Sequence, residues 1–102
     1  MNNIQKQTAQ MAREYGLGAS AMLRFADLTS EMGELGKELV KATNWGADDL
    51  RVTDGLRMEL GDVVFALALF ANEQGLDLEE CFAMTARKCK ERFEQKGYIG
   101  SE

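Results

Sequence analysis

The chain has 102 residues, 45% of them hydrophobic and 28% charged, with a formal net charge of −5. Such a length supports one hydrophobic core, so residues 1–102 are read as a single domain, and the balance of residue types is that of a soluble globular protein. The acidic character, with a pI near 4.8, argues against DNA or RNA as partner, because nucleic-acid binding needs a basic face.

The elements follow in chain order. The start, MNNIQKQTAQ, is polar and carries no apolar leader. Ile4, Thr8, Met11, Ala12 and Tyr15 recur at helical spacing and predict a short first helix over residues 3–15, interrupted by Gly16 and Gly18. Ser20 is placed to cap a long second helix that runs through Val40 and ends near Asn44-Trp45-Gly46, where Gly46 suits a left-handed position. After a polar linker from Ala47 to Thr53, a third helix begins near Asp54 and runs to about Glu73, with Gly75 as its stop. Asp77, with Glu80 completing a capping box, opens a fourth helix whose apolar stripe is Leu78, Phe82, Ala86, Cys89 and Phe93. There is no proline and no alternating apolar pattern, so the expectation is an all-α, compact bundle of about four helices. The third helix contains VVFALALFA, Val63 to Ala71, which is apolar on nearly all sides. These nine residues are far short of the ~20 that span a bilayer, so no membrane partner is expected. A helix of that kind must be covered all round, and the chain is expected to self-associate through it as a homo-oligomer, dimer or tetramer.

The most informative feature is a duplicated pair of acids. Residues 28–39, LTSEMGELGKEL, lie over residues 56–67, LRMELGDVVFAL, matching Leu28 with Leu56, Glu31 with Glu59, Gly33 with Gly61, Glu34 with Asp62 and Leu39 with Leu67. Residues three apart on a helix stand one above the other, so Glu31/Glu34 and Glu59/Asp62 each make a carboxylate clamp. Leu28, Met32, Leu35 and Leu39 form one stripe with Glu31, Glu34 and Glu38 beside it; Leu56, Leu60, Val63 and Leu67 repeat the stripe on the third helix. Packing the stripes together brings the acids within reach of one another. A single Glu-x-x-Glu is ordinarily a solvated face, but duplication with matched glycines and leucines argues for a shared task. Glycine costs about 1 kcal/mol against alanine inside a helix, so Gly33 and Gly61 predict close approach of a neighbouring backbone or ligand. Four crowded carboxylates repel, and a divalent cation is the partner that relieves them.

The chain has no histidine. Imidazole-based triads and Glu-x-x-His di-iron bundles are thereby excluded, and a metal here must be bound by oxygen, which favours Mg²⁺ or Mn²⁺. Cys81 and Cys89 are eight residues apart on one predicted helix, about 12 Å along its axis. They cannot pair, and they read as core thiols of a reducing, cytoplasmic compartment. From Arg87 to Lys96 the chain carries five cations and two acids. The cluster suits either a helix C-terminus or a phosphate clamp beside the acids.

The order Glu31-x-x-Glu34, then Glu59-x-x-Asp62, together with SEMGELGKEL, MELGDVVFALALFANEQGLDLEE and TARKCKER, resembles the all-α nucleoside triphosphate pyrophosphohydrolases, specifically the small MazG-like proteins, over roughly residues 20–97. The resemblance implies Mg²⁺-dependent hydrolysis of nucleoside triphosphates, with deoxynucleotides and a house-cleaning role foremost, between the α and β phosphates to give a monophosphate and pyrophosphate. It implies that Glu31, Glu34, Glu59 and Asp62 bind the metal, that Glu38 assists as a ligand or water-positioning group, and that Lys88 and Arg92 meet the phosphates. Thr85 stands where the family usually has asparagine, which alters the hydrogen bonding at that position. Trp45, the lone tryptophan, is a candidate for stacking on the base. Two other readings stay open: a specialised member acting on phosphoribosyl-ATP or dUTP, and a non-enzymatic helical interaction protein.

Overall fold

Four polar side chains start four helices. In the computed structural model, which describes residues 2–102, these are α1 (Asn3–Tyr15), α2 (Ala21–Ala42), α3 (Asp54–Glu73) and α4 (Leu78–Lys96). Asn2 Oδ1 accepts from the Gln5 N–H at 2.8 Å, Ser20 Oγ from Leu23 at 3.2 Å, Thr53 Oγ1 from Leu56 at 3.1 Å and Asp77 Oδ1 from Glu79 at 2.9 Å. Each bond satisfies a backbone donor that the first helical turn leaves over. Gly16 and Gly97 close α1 and α4 at φ +65° and +79°. No strand occurs among the described residues, and the all-α architecture of four helices is the one the sequence predicts.

The corner after α2 is built differently from a single glycine cap. Asn44, Trp45 and Gly46 are all left-handed, at φ 50°, 60° and 85°. Two of these are not glycine, and such a conformation costs roughly 1–2 kcal/mol for each. The Trp45 N–H donates to Val40 O at 2.8 Å and the Gly46 N–H to Thr43 Oγ1 at 3.1 Å, which offset part of that cost.

Helix α3 is the centre of the molecule. It packs on α2 along one side and α1 along another, and Ala66, Ala68, Leu69 and Ala71 are its buried residues. Three of those four are alanine, which lets the neighbouring helices approach closely. The α2 and α3 axes are antiparallel: Arg24 at the start of α2 donates through Nε to Glu73 Oε1 at the end of α3, 2.7 Å away, while Glu38 near the end of α2 meets Gly55 at the start of α3.

The packed face of α2 is not the apolar stripe expected from the sequence. Its less exposed residues are Arg24, Leu28, Glu31, Leu35, Glu38 and Ala42, whereas Met32 and Leu39 are exposed. Two glutamates therefore lie in the α2/α3 seam itself. Likewise α1 buries Gln5 and Thr8, while Ile4 and Tyr15 face outward. Gln5 succeeds inside because every polar atom of its amide is engaged. Its Nε2 donates to Asn72 Oδ1 at 2.9 Å and to Leu76 O at 2.8 Å, and its Oε1 accepts from the Leu78 N–H at 2.8 Å. Asn72 Nδ2 returns a bond to Gln5 O at 3.0 Å. One side chain of α1 thus fixes the turn from α3 into α4.

Helix α4 packs along none of the other three and buries no residue. Its predicted apolar stripe is open: Phe82 is 72% and Phe93 60% exposed. Cys81 and Cys89 are free thiols, half-buried rather than in the core, because the helix that carries them is not packed inside. No helix among the described residues is long and apolar enough to cross a membrane.

Candidate active site

The antiparallel seam sets the acids opposite each other. With Glu38 level with Gly55, Glu34 falls level with Glu59 and Glu31 with Asp62. Ligand oxygens of Glu31, Glu59 and Asp62 all lie within 4.8 Å of one another. Glu34, on the exposed flank of α2, sits outside that trio but near enough to act electrostatically on both Glu31 and Glu59. Glu38 is held at the seam's edge, with Oε1 3.7 Å from Lys41 Nζ.

The electrostatics match the crowding. Partial removal from water, then the Asp62 carboxylate, then Asp27, Glu59 and Glu34, raise Glu31 above its ordinary pKa of 4.5. Removal from water, then Asp62, Glu34 and Glu38, raise Glu59 in the same way, with Lys41 opposing. Among the described residues no lysine or arginine forms an ion pair with Glu31, Glu59 or Asp62. Several carboxylates with raised pKa values and no cation between them form an electrostatically frustrated group. Three oxygen donors at this spacing, with no nitrogen or sulfur among them, fit a hard divalent cation such as Mg²⁺.

The glycines of the acid pairs have a different meaning from the one expected. A Cβ placed at Gly33 or at Gly61 would meet nothing within 4 Å, so neither marks a close approach within this chain. Gly55 does, because a Cβ there would lie 2.8 Å from Glu38 Oε2. Sequence reading missed Gly55. Its signal was faint, since the first turn of a helix tolerates glycine without any special reason.

The remaining candidates lie elsewhere. Trp45 is 80% exposed on its left-handed corner, so it does not cap the core. Next to it a cleft of about 430 Å³ opens between the end of α2 and the following loop, lined by Lys41, Asn44, Asp48, Asp49, Arg51 and Thr53 together with Ala42. Lys41 joins this cleft to Glu38. Thr85, Lys88 and Arg92 sit on α4, which does not pack along α2 or α3, so the seam acids and these residues are not gathered within one chain. Arg92 instead donates through Nη1 to Ile99 O at 3.4 Å.

Neither the curated proteins nor the solved structures searched gave a match to this chain. A family model does match, that of the MazG nucleotide pyrophosphohydrolase domain, over residues 20–96. That span takes in α2, α3 and α4 with every acid of the seam and leaves out α1. The protein belongs to the MazG nucleotide pyrophosphohydrolase family.

Proposed function

We propose that the protein hydrolyses nucleoside triphosphates, deoxynucleotides foremost, between the α and β phosphates, releasing a nucleoside monophosphate and pyrophosphate. The observation that carries this reading is the convergence of Glu31, Glu59 and Asp62 in the α2/α3 seam without a cation of the protein's own. Glu31, Glu59 and Asp62, with Glu34 alongside, would hold Mg²⁺, or Mn²⁺ in its place. Bound there, the metal supplies charge neutralisation and polarisation of the phosphoryl oxygens.

The chain's own side chains carry the rest. Glu38, held between Lys41 and Gly55 at the edge of the acid group, orients the attacking water and takes its proton. Lys88 and Arg92 neutralise the phosphate chain, and Thr85 donates one hydrogen bond to it. Trp45, held in solvent by a strained corner, stacks on the base. The protein acts as a homo-oligomer, dimer or tetramer, in the cytoplasm, in a house-cleaning role.

The test is pyrophosphate release from a panel of ribo- and deoxyribonucleoside triphosphates, dUTP included, with Mg²⁺ and with EDTA. Metal-dependent pyrophosphate and monophosphate in equal amounts are expected. Release of inorganic phosphate with a diphosphate product, or no turnover of any nucleotide, would defeat the reading.

A further inference from the structure

The acids and the cations of this chain are matched in height but not in place. Asp62 and Glu59 lie eleven and fourteen residues before Glu73, the last residue of α3, or about 17 and 21 Å along the axis. Lys88 and Arg92 lie ten and fourteen residues after Leu78, the first of α4, or about 15 and 21 Å. An α4 laid antiparallel to an α3 would set its cations beside the acids. Within the chain α4 does not lie there. Its direction is not loose either, because Gln5 of α1 bonds both Leu76 O and the Leu78 N–H and fixes the turn.

The surface area says that something covers the chain. It exposes 7563 Å², where a folded monomer of 11.3 kDa exposes about 5,700 Å². The excess, roughly 1,800 Å² per chain, is of the size that obligate homodimers bury. Two sets of exposed apolar residues account for it: Phe82 and Phe93 on α4, and Met32, Leu39, Leu60 and Leu67 flanking the acid seam. The first set runs beside the cations of α4 and the second beside the acids. The two surfaces are complementary in charge as well as in hydrophobicity.

We infer that the catalytic site is built from two copies of this chain, the seam acids of one meeting Lys88 and Arg92 of α4 from the other. This inference rests on the pyrophosphohydrolase reading for its purpose, and its geometry is tested separately.

Two chains each disabled on one side of the site are mixed under conditions of subunit exchange, Glu59→Gln in one and Lys88→Ala with Arg92→Ala in the other. Each alone is inactive. In the hybrid one site carries all the substitutions and the other carries none, so random exchange restores roughly a quarter of the wild-type rate. Hybrids confirmed by native mass spectrometry but without activity would overturn the inference, since a site made within one chain is broken in both halves. A second readout needs no turnover. Glu34→Cys in one chain and Arg92→Cys in another, both with Cys81→Ser and Cys89→Ser, are treated with a short bismaleimide. A two-chain product formed by the mixture and by neither variant alone is expected. Cross-linking only within a chain that carries both cysteines, or a monomer in sedimentation at micromolar concentration, would overturn it. If the cross-link forms and the nucleotide panel stays silent, the arrangement stands and the proposed activity fails.

Discussion

The seam acids are held at a cost that metal is suited to remove. Glu31 and Glu59 have folded-state pKa values above the ordinary 4.5, so between the two values the folded state binds more protons than the unfolded state. Their contribution therefore destabilises the fold above the raised values and vanishes as pH falls to the ordinary one. In EDTA, Glu59→Gln is expected to melt no lower than wild type at pH 7, and the advantage of the variant should shrink as pH is lowered towards 4.5. In Mg²⁺ the order reverses: wild type gains melting temperature and the variant does not, with turnover down by at least about 100-fold. Calorimetry in the two buffers checks both signs. Gly55→Ala makes a separate test of Glu38. The new Cβ would displace the Glu38 carboxylate, which is the mobile end of a flexible side chain, so the melting temperature should hold while kcat falls. An unchanged kcat would remove Glu38 from the reaction. Trp45→Ala should raise KM and leave the melting temperature in place, because its ring is in solvent.

At the scale of elements, boundaries were legible and faces were not. Residues 3–15 for α1, Ser20 as a cap, and the span from Asp54 to Glu73 were all readable, because caps and glycines act over a few residues of chain. Which stripe meets a neighbour depends on the whole fold. The rule that apolar residues face inward misassigned α2, since its inner face includes Arg24, Glu31 and Glu38. It missed Gln5, whose burial is stabilised by bonds to residues 67 and more positions away. The acid trio was legible from the duplication, since three-residue spacing and the antiparallel seam suffice to gather it. The missing neighbour of α4 was not, because an apolar stripe does not state whose surface covers it. Gln5→Ala should cost about 2 kcal/mol by leaving Leu76 O and the Leu78 N–H without a partner. Urea unfolding measures it. Arg24→Ala, which breaks a half-shielded ion pair at the opposite end of the seam, should cost about 1 kcal/mol.

For the whole molecule, α1 has a consequence out of proportion to its thirteen residues. The family match begins at residue 20, so the helix whose Gln5 sets the heading of α4 lies outside the part shared with the family. The catalytic seam and the direction in which a chain reaches for its neighbour are thus encoded in separate stretches of sequence. Exchanging the first helix, or Gln5 alone, would re-aim α4 and with it the symmetry of the assembly, while leaving the acids where they are. A lineage could vary its quaternary structure by editing its first helix and keep its chemistry untouched.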